Sequence, residues 1–220
     1  MKKFLNEVVI GLVLLGLVNL PVYASTSEEK LKTTKNKPII ILDPAFGGKE
    51  TGAIGEQALK EKDVVLDIAL KIENLLSKRK NIKVYLTRSK DEIVSQKERE
   101  KYIQTHNPAL VIRLRLNSSE GKDKWSADGF SANYDRKNMG SKRVAGIVLK
   151  NLEERILTPN KGMKPAKIYK DIQVPCIEIF LGYITNPNIE ANLRDPNVRQ
   201  VIAETICKSI IEYLDINRGE

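Results

Sequence analysis

Short apolar runs alternate along this chain with longer stretches of helical period, and no other feature limits the fold as much. Pro38–Leu42 is an apolar run that ends at Asp43-Pro44 and Gly47-Gly48, which reads as a buried strand opening into a loop. Lys62–Lys80 follows, with Val65, Ile68, Ala69, Ile72, Leu75 and Leu76 on one helical face. Lys78, Arg79 and Lys80 suit the negative end of that helix. Ile82–Leu86 reads as the next strand and Ser95–His106 as a polar helix. Leu110–Leu116, Asp128–Tyr134 and Val174–Leu181 read as strands, and Met139–Ile156 and Asn197–Leu214 as helices. The last turns Val198, Val201, Ile202, Thr205, Ser209 and Ile210 inward. The expected fold class is therefore α/β: one sheet of mostly parallel strands with helices on both faces. The 220 residues, 41% of them hydrophobic and with no internal repeat, suit a single core. Ligand sites in such sheets lie beyond the carboxyl ends of the strands. The loop after Leu42 and the ends of Leu110–Leu116 and Val174–Leu181 should converge there, with Glu61 at the start of the long helix beside them.

Ahead of this domain, residues 1–24 read as a secretory signal. Lys2 and Lys3 open it, Val8–Val18 is unbroken apolar sequence, and Val22 and Ala24 precede a cut before Ser25. The rival is an uncleaved membrane anchor, for which the run is short against the ~20 residues of a spanning helix. The organisation expected is a signal at 1–24, a polar linker at 25–37 and a domain at 38–216, placed in the cell wall or on the outer face of the membrane. A membrane contact is expected only through an uncleaved signal.

Thirty-seven Lys and Arg against 28 Asp and Glu give +9, which favours anionic partners. The basic residues read as scattered, without aromatic interleaving, and with an export signal this excludes nucleic acid. One histidine, His106, and two cysteines, Cys176 and Cys207, exclude a zinc site built from several His or Cys ligands. The cysteines read as two buried thiols, with a bridge left open.

In Leu110–Leu116 the even positions face one way, while Arg113 and Arg115 face the other, ~7 Å apart along the strand. Two arginines on an interior strand need counter-charges, because an unpaired buried ion is costly.

The segments Ile40–Gly48, Thr51–Gly55 and Lys60–Leu66, with Leu86-Thr87-Arg88, Val111–Ser118 and Val174–Pro187, resemble in order the motifs of the zinc-dependent N-acetylmuramoyl-L-alanine amidases (type 3). The resemblance spans about residues 38–214. It implies a cell-wall enzyme that cuts the amide between the muramic acid lactyl group and the L-alanine of the stem peptide, with two His and one Glu on zinc and a second Glu as base. At those positions this chain has Phe46 and Arg115 for the histidines, Glu61 for the zinc glutamate and Phe180 for the catalytic glutamate. One ligand of three does not hold catalytic zinc, so the expectation is no cofactor and no catalytic residue. Glu178, two residues before Phe180, offers a displaced carboxylate or, more simply, a partner for a cation.

The substitutions are mutually consistent if Arg115 replaces zinc as the counter-charge to Glu61, Phe46 and Phe180 fill the emptied cleft, and Glu178 pairs with Arg113. The function expected is that of a non-catalytic homologue. It would bind peptidoglycan or its stem peptides, or a wall protein such as an active amidase. An active amidase with an altered site is the alternative. Arg113 and Arg115, if exposed, suit stem-peptide carboxylates. Asn117 and Asn186 are candidate polar groups of the groove, with turn stabilisation as the competing role.

Overall fold

The computed structural model describes residues 37–217; the signal and nearly all of the linker expected from the sequence lie outside them. Residues 37–217 belong to one compact unit. The strands are β1 (Ile39–Pro44), β2 (Lys83–Leu86), β3 (Leu110–Asn117), β4 (Phe130–Asp135), β5 (Asn160–Ala166) and β6 (Cys176–Tyr183). The helices are α1 (Glu61–Ser77), α2 (Gln96–His106), α3 (Met139–Arg155), α4 (Pro187–Arg194) and α5 (Pro196–Ile216).

The strands form one sheet in the order β2-β1-β3-β6-β4-β5. β2, β1, β3 and β6 are parallel, β4 runs antiparallel to β6, and β5 is parallel to β4. This is the mostly parallel α/β sheet that the alternation predicts.

The two faces are covered unequally. Ile40, Leu42, Leu110, Ile112, Leu114, Ile177 and Ile179 pack with α1, α3 and α5 into the larger core. Ile41, Val111 and Cys176 on the opposite face pack with Ile103 of α2 and with Tyr169 and Ile172. That cover lies over the amino-terminal part of the strands.

Local signals explain most boundaries. Ser95 caps α2 by accepting from the Glu98 backbone N–H while the Glu98 side chain returns to the Ser95 N–H, a reciprocal cap. Asn186 caps α4 and Pro187 opens it. Three expectations need correction. α1 ends at Ser77, so Lys78 is its cap residue and Arg79 and Lys80 lie beyond it. β6 begins two residues later than expected, because Pro175 has no N–H for the ladder and only its carbonyl accepts, from Val111. Two elements, β5 and α4, were not anticipated. β5 reads Asn-Lys-Gly-Met-Lys-Pro-Ala, a sequence that only an edge strand tolerates.

Cys176 and Cys207 are buried and unpaired. Burial pushes the Cys207 thiol up to about 12. His106 ends α2 beside the start of β3, with its ring 4.8 Å from that of Tyr85 and 4.2 Å from that of Tyr102.

Candidate functional site

Sheet register sets the site. Asp43 of β1 lies beside Arg113 of β3, Arg113 beside Glu178 of β6, and Glu178 beside Asn133 of β4. This makes a polar row across four strands. One step toward the carboxyl ends of β3 and β6, Arg115 lies beside Phe180 and Phe180 beside Ser131. α2 reaches the first row, where Arg99 pairs with Asp43 and Gln96 accepts from Arg113, and the second row stands one step further toward the carboxyl ends.

Two arginines from outside the row hold the loop after β1. Arg88 donates to the carbonyls of Pro44 (3.0 Å), Ala45 (3.0 Å) and Lys62 (2.8 Å). Arg99 donates to those of Pro44 (3.1 Å) and Phe46 (2.9 Å) and pairs with Asp43. The clamped loop turns Phe46 into the left-handed region at φ 62°. Gly52, at φ 65°, leaves room beside it: a Cβ there would stand 2.5 Å from the Phe46 ring and 2.6 Å from Glu61 Oε2.

Glu61, the first residue of α1, is buried. Its Oε2 accepts from the Ala53 N–H (2.9 Å), and its Oε1 accepts from the Leu116 N–H (2.8 Å) and from Arg115 Nε (2.9 Å). Arg115 also reaches Glu178 Oε1 with Nη1 at 3.3 Å. Its guanidinium carbon lies 4.7 Å from the Phe46 ring centre and 5.6 Å from that of Phe180. The cation therefore sits between two aromatic rings and two carboxylates, an arrangement that stabilises a guanidinium in a partly desolvated place. Glu178 Oε2 accepts from Asn133 Nδ2 at 2.8 Å.

Arg113 makes the expected pairing with Glu178 and adds a nearer one to Asp43. Its Nε lies 3.5 Å from Asp43 Oδ2 and 3.8 Å from Glu178 Oε1, and its Nη1 donates to Gln96. Asp43 is its nearer counter-charge because the two are register partners on adjacent strands. Asp43 was read from the sequence only as a strand end, yet it is the most connected carboxylate of the site. It accepts from Thr87 and Tyr169 at 2.5 Å each and from Arg99. Burial alone would raise its carboxyl, but Arg99, Arg113 and the two hydroxyls outweigh burial and hold it below its ordinary value. A buried acid ending an apolar run was the available signal, since it requires cations nearby.

The charges of the cleft close on one another. Asp43, Glu61 and Glu178 face Arg99, Arg113 and Arg115, and each of the six lies within 4 Å of an opposite charge. Zinc does not fit this arrangement. A guanidinium occupies the open side of Glu61, and among the described residues no three His, Cys, Asp or Glu side chains are grouped to hold a metal ion.

Of the two asparagines, Asn186 is committed to the fold: its Oδ1 caps α4 and its Nδ2 donates to Ala127. Asn117 stands half-buried at the end of β3, with its carbonyl accepting from the Ile184 N–H.

The sequence profile described as N-acetylmuramoyl-L-alanine amidase matches residues 40–212. The chain belongs to that amidase family. It is 26% identical over 234 residues to the N-acetylmuramoyl-L-alanine amidase AmiC of Escherichia coli O6:H1, an alignment covering 86% of this chain and 56% of that protein. It is 28% identical over 204 residues to the probable cell wall amidase LytH of Staphylococcus epidermidis, covering 89% of this chain and 64% of that one. The chain thus spans about three fifths of the length of these relatives. Among solved structures, the CwlD amidase of Clostridioides difficile, in complex with the GerS lipoprotein, superposes with a TM-score of 0.75 at 26% identity, over 81% of this chain and 99% of that one. The amidase fold is therefore retained around a cleft whose contents are ion pairs.

The Arg115–Glu61 pair is open to a direct test. Arg115→Leu leaves a buried carboxylate facing only two backbone donors, and should cost about 3 kcal/mol, on the order of 10 °C in Tm. In a double-mutant cycle by urea unfolding, Glu61→Gln should cost about 2 kcal/mol less in the Arg115→Leu background than in the parent. Additive effects would show that the two side chains do not support each other.

Proposed function

We propose that this amidase-family chain is a non-catalytic homologue that works outside the cytoplasm, holding peptidoglycan or a wall protein on the uncovered part of its sheet. The observation that carries this reading is the Arg115 guanidinium, bonded to Glu61 and enclosed by Phe46 and Phe180, where an ion and its water would have to stand. Hydrolysis of an amide needs an activated water and a stabilised oxyanion. The cleft here offers a closed set of charges and two phenyl rings. Binding does not need that machinery. Phe180 and Phe46 present half-buried aromatic surface, and Ser131 and Asn133 continue the same face toward the edge. Such a surface suits sugar rings and amides better than isolated carboxylates. Regulation through a protein partner is the related possibility, and the CwlD amidase, seen in complex with a lipoprotein, supports it by analogy.

The test combines three measurements on the purified protein. Metal analysis after incubation with zinc should find far less than one zinc per chain. Purified peptidoglycan should release no new L-alanine amino termini. Sacculi stripped of anionic polymer should nevertheless carry the protein down on sedimentation, in a manner that survives high salt. The single tryptophan, Trp125, is 65% exposed in the loop between β3 and β4, so its fluorescence offers a second readout of binding. Stoichiometric zinc with amide cleavage would instead establish a working amidase with an altered site.

A further inference from the structure

Five basic residues that read as scattered in the sequence, Arg136, Lys137, Lys161, Lys164 and Lys167, are brought by the fold to one edge of the sheet. The segments 136–143 and 161–170 hold eight Lys and Arg and no Asp or Glu. Setting these eight aside from the chain's +9 leaves +1, so they account for almost the whole charge excess. The two segments meet at a shallow cavity of about 280 Å³ lined by Asp135, Arg136, Lys137, Pro165, Ala166 and Lys167.

Register carries this edge into the site already described. Lys164 of β5 lies beside Asn133, which lies beside Glu178, so it extends the polar row by one strand. Between Phe130 and Ala132 the β4–β5 pairing shifts by one residue, which opposes Lys161 and Gly162 to Ser131 and turns Lys161 to the same face. The Lys161 stem lies over Gly129, where an added Cβ would stand 2.7 Å from Lys161 Cγ. The face therefore has two parts: an inner cleft whose charges are all matched, and an outer rail of lysines.

The rail is unmatched. Among the described residues no carboxylate lies within 4 Å of the side-chain nitrogens of Arg136, Lys137, Lys161, Lys164 or Lys167. The nearby acids are engaged elsewhere or set back. Asp135 is buried and accepts from the Lys137 N–H, and Glu153 takes the Asn160 amide. Lysines and a proline on an edge strand also discourage pairing between sheet edges. That role does not account for Arg136, Lys137 and Lys167, which lie off the strand around the cavity.

We propose that this edge docks a linear phosphodiester polymer, of the anionic kind found in cell walls, lengthwise along β5, from Lys161 at the level of Phe180 to the cavity at the carboxyl ends of β4 and β5. The proposal rests on the reading above only for the compartment. Exposed lysines are flexible point charges with no planar fork and no fixed partners. They do not read the geometry of one carboxylate, but several together attract a chain of repeated charges.

The probe is labelled long-chain inorganic polyphosphate, titrated by fluorescence anisotropy between about 50 and 200 mM salt. The parent should bind with a log affinity that falls linearly with log salt. Lys161→Glu/Lys164→Glu/Lys167→Glu should weaken binding at least ~10-fold at the lowest salt and reduce the slope by about two to three. Lys78→Glu/Arg79→Glu/Lys80→Glu, an equal change of charge at the end of α1, should stay within about twofold of the parent. Equal losses in the two variants would overturn the proposal, since net charge alone would then govern binding. So would binding to phosphatidylglycerol vesicles that needs the same lysines and that polyphosphate does not displace, because the surface would then be a membrane contact. Sedimentation of the parent with polymer-free sacculi is the separate readout of the peptidoglycan reading, and its absence would overturn only that reading.

Discussion

Asn in place of Asp43 should lower the stability of the domain by about 4 kcal/mol at neutral pH, the loss typical when one partner of a buried ion pair is removed. Asp43 is fully buried, with Arg99 and Thr87 on one oxygen and Tyr169 on the other. An amide would aim an N–H₂ group at donors on one of those sides. It would also leave Arg99 without its counter-charge and Arg113 with Glu178 alone, at 3.8 Å. Arg99 in turn holds the carbonyls of Pro44 and Phe46, so the damage should spread to the loop that positions Phe46. The pH dependence follows from the lowered carboxyl. Its ordinary value is 3.8 and its folded value lies below that. The stabilisation is therefore fully present above about pH 4 and is lost as the pH falls through the folded value. Urea midpoints of parent and variant should differ most at pH 7 and converge toward pH 2. A gap that stays constant over that range would mean the carboxylate charge is not what Asp43 contributes.

The largest change of property is expected from Phe46→His combined with Arg115→His. Both residues flank Glu61, whose carboxylate is already held by the Ala53 and Leu116 N–H groups. Removing the guanidinium frees one oxygen of Glu61, and two imidazoles complete a set of three protein ligands with a fourth position open, which is the zinc arrangement. The left-handed backbone at residue 46 does not oppose the change, because His is among the residues that tolerate it. The double variant should move from no retained metal to roughly one zinc per chain. Its Tm should fall on chelation, while that of the parent should not. A variant that is folded but metal-free in excess zinc would show that more than these side chains separates this cleft from a metal centre. Adding Phe180→Glu would then ask whether a base at that position restores hydrolysis.

Those contrasts show which parts of the molecule a sequence reveals. The alternating apolar runs and helical faces were legible because each is a local periodicity, and the central strands β1, β3 and β6 carry it most strongly. The four positions of the altered centre were legible through short motifs, since Phe46, Glu61, Arg115 and Phe180 each sit beside recognisable neighbours. That Arg115 bonds Glu61 follows from chemistry once both are placed on one face. Of the two partners of Arg113, Glu178 was legible and Asp43 was not, because they flank it on opposite strands and only the register places Asp43 nearer. β5 was hidden by its Gly and Pro, which are acceptable at an edge that lacks a second partner. The lysine rail was not legible either, for a separate reason. Its residues come from two segments about 20 positions apart in sequence, and a β-bulge decides which face Lys161 joins.

The guanidinium on Glu61 has a consequence for how the domain meets its surroundings. A domain held by a bound ion gains stability in proportion to the logarithm of free ion over its dissociation constant, so its folded fraction rises and falls with supply. A cation tethered through the chain has no such term. Its occupancy does not depend on dilution, on competing chelators or on scarcity of the element. The pair forms whenever the chain folds, so nothing in this part of the cleft waits on the supply of an ion.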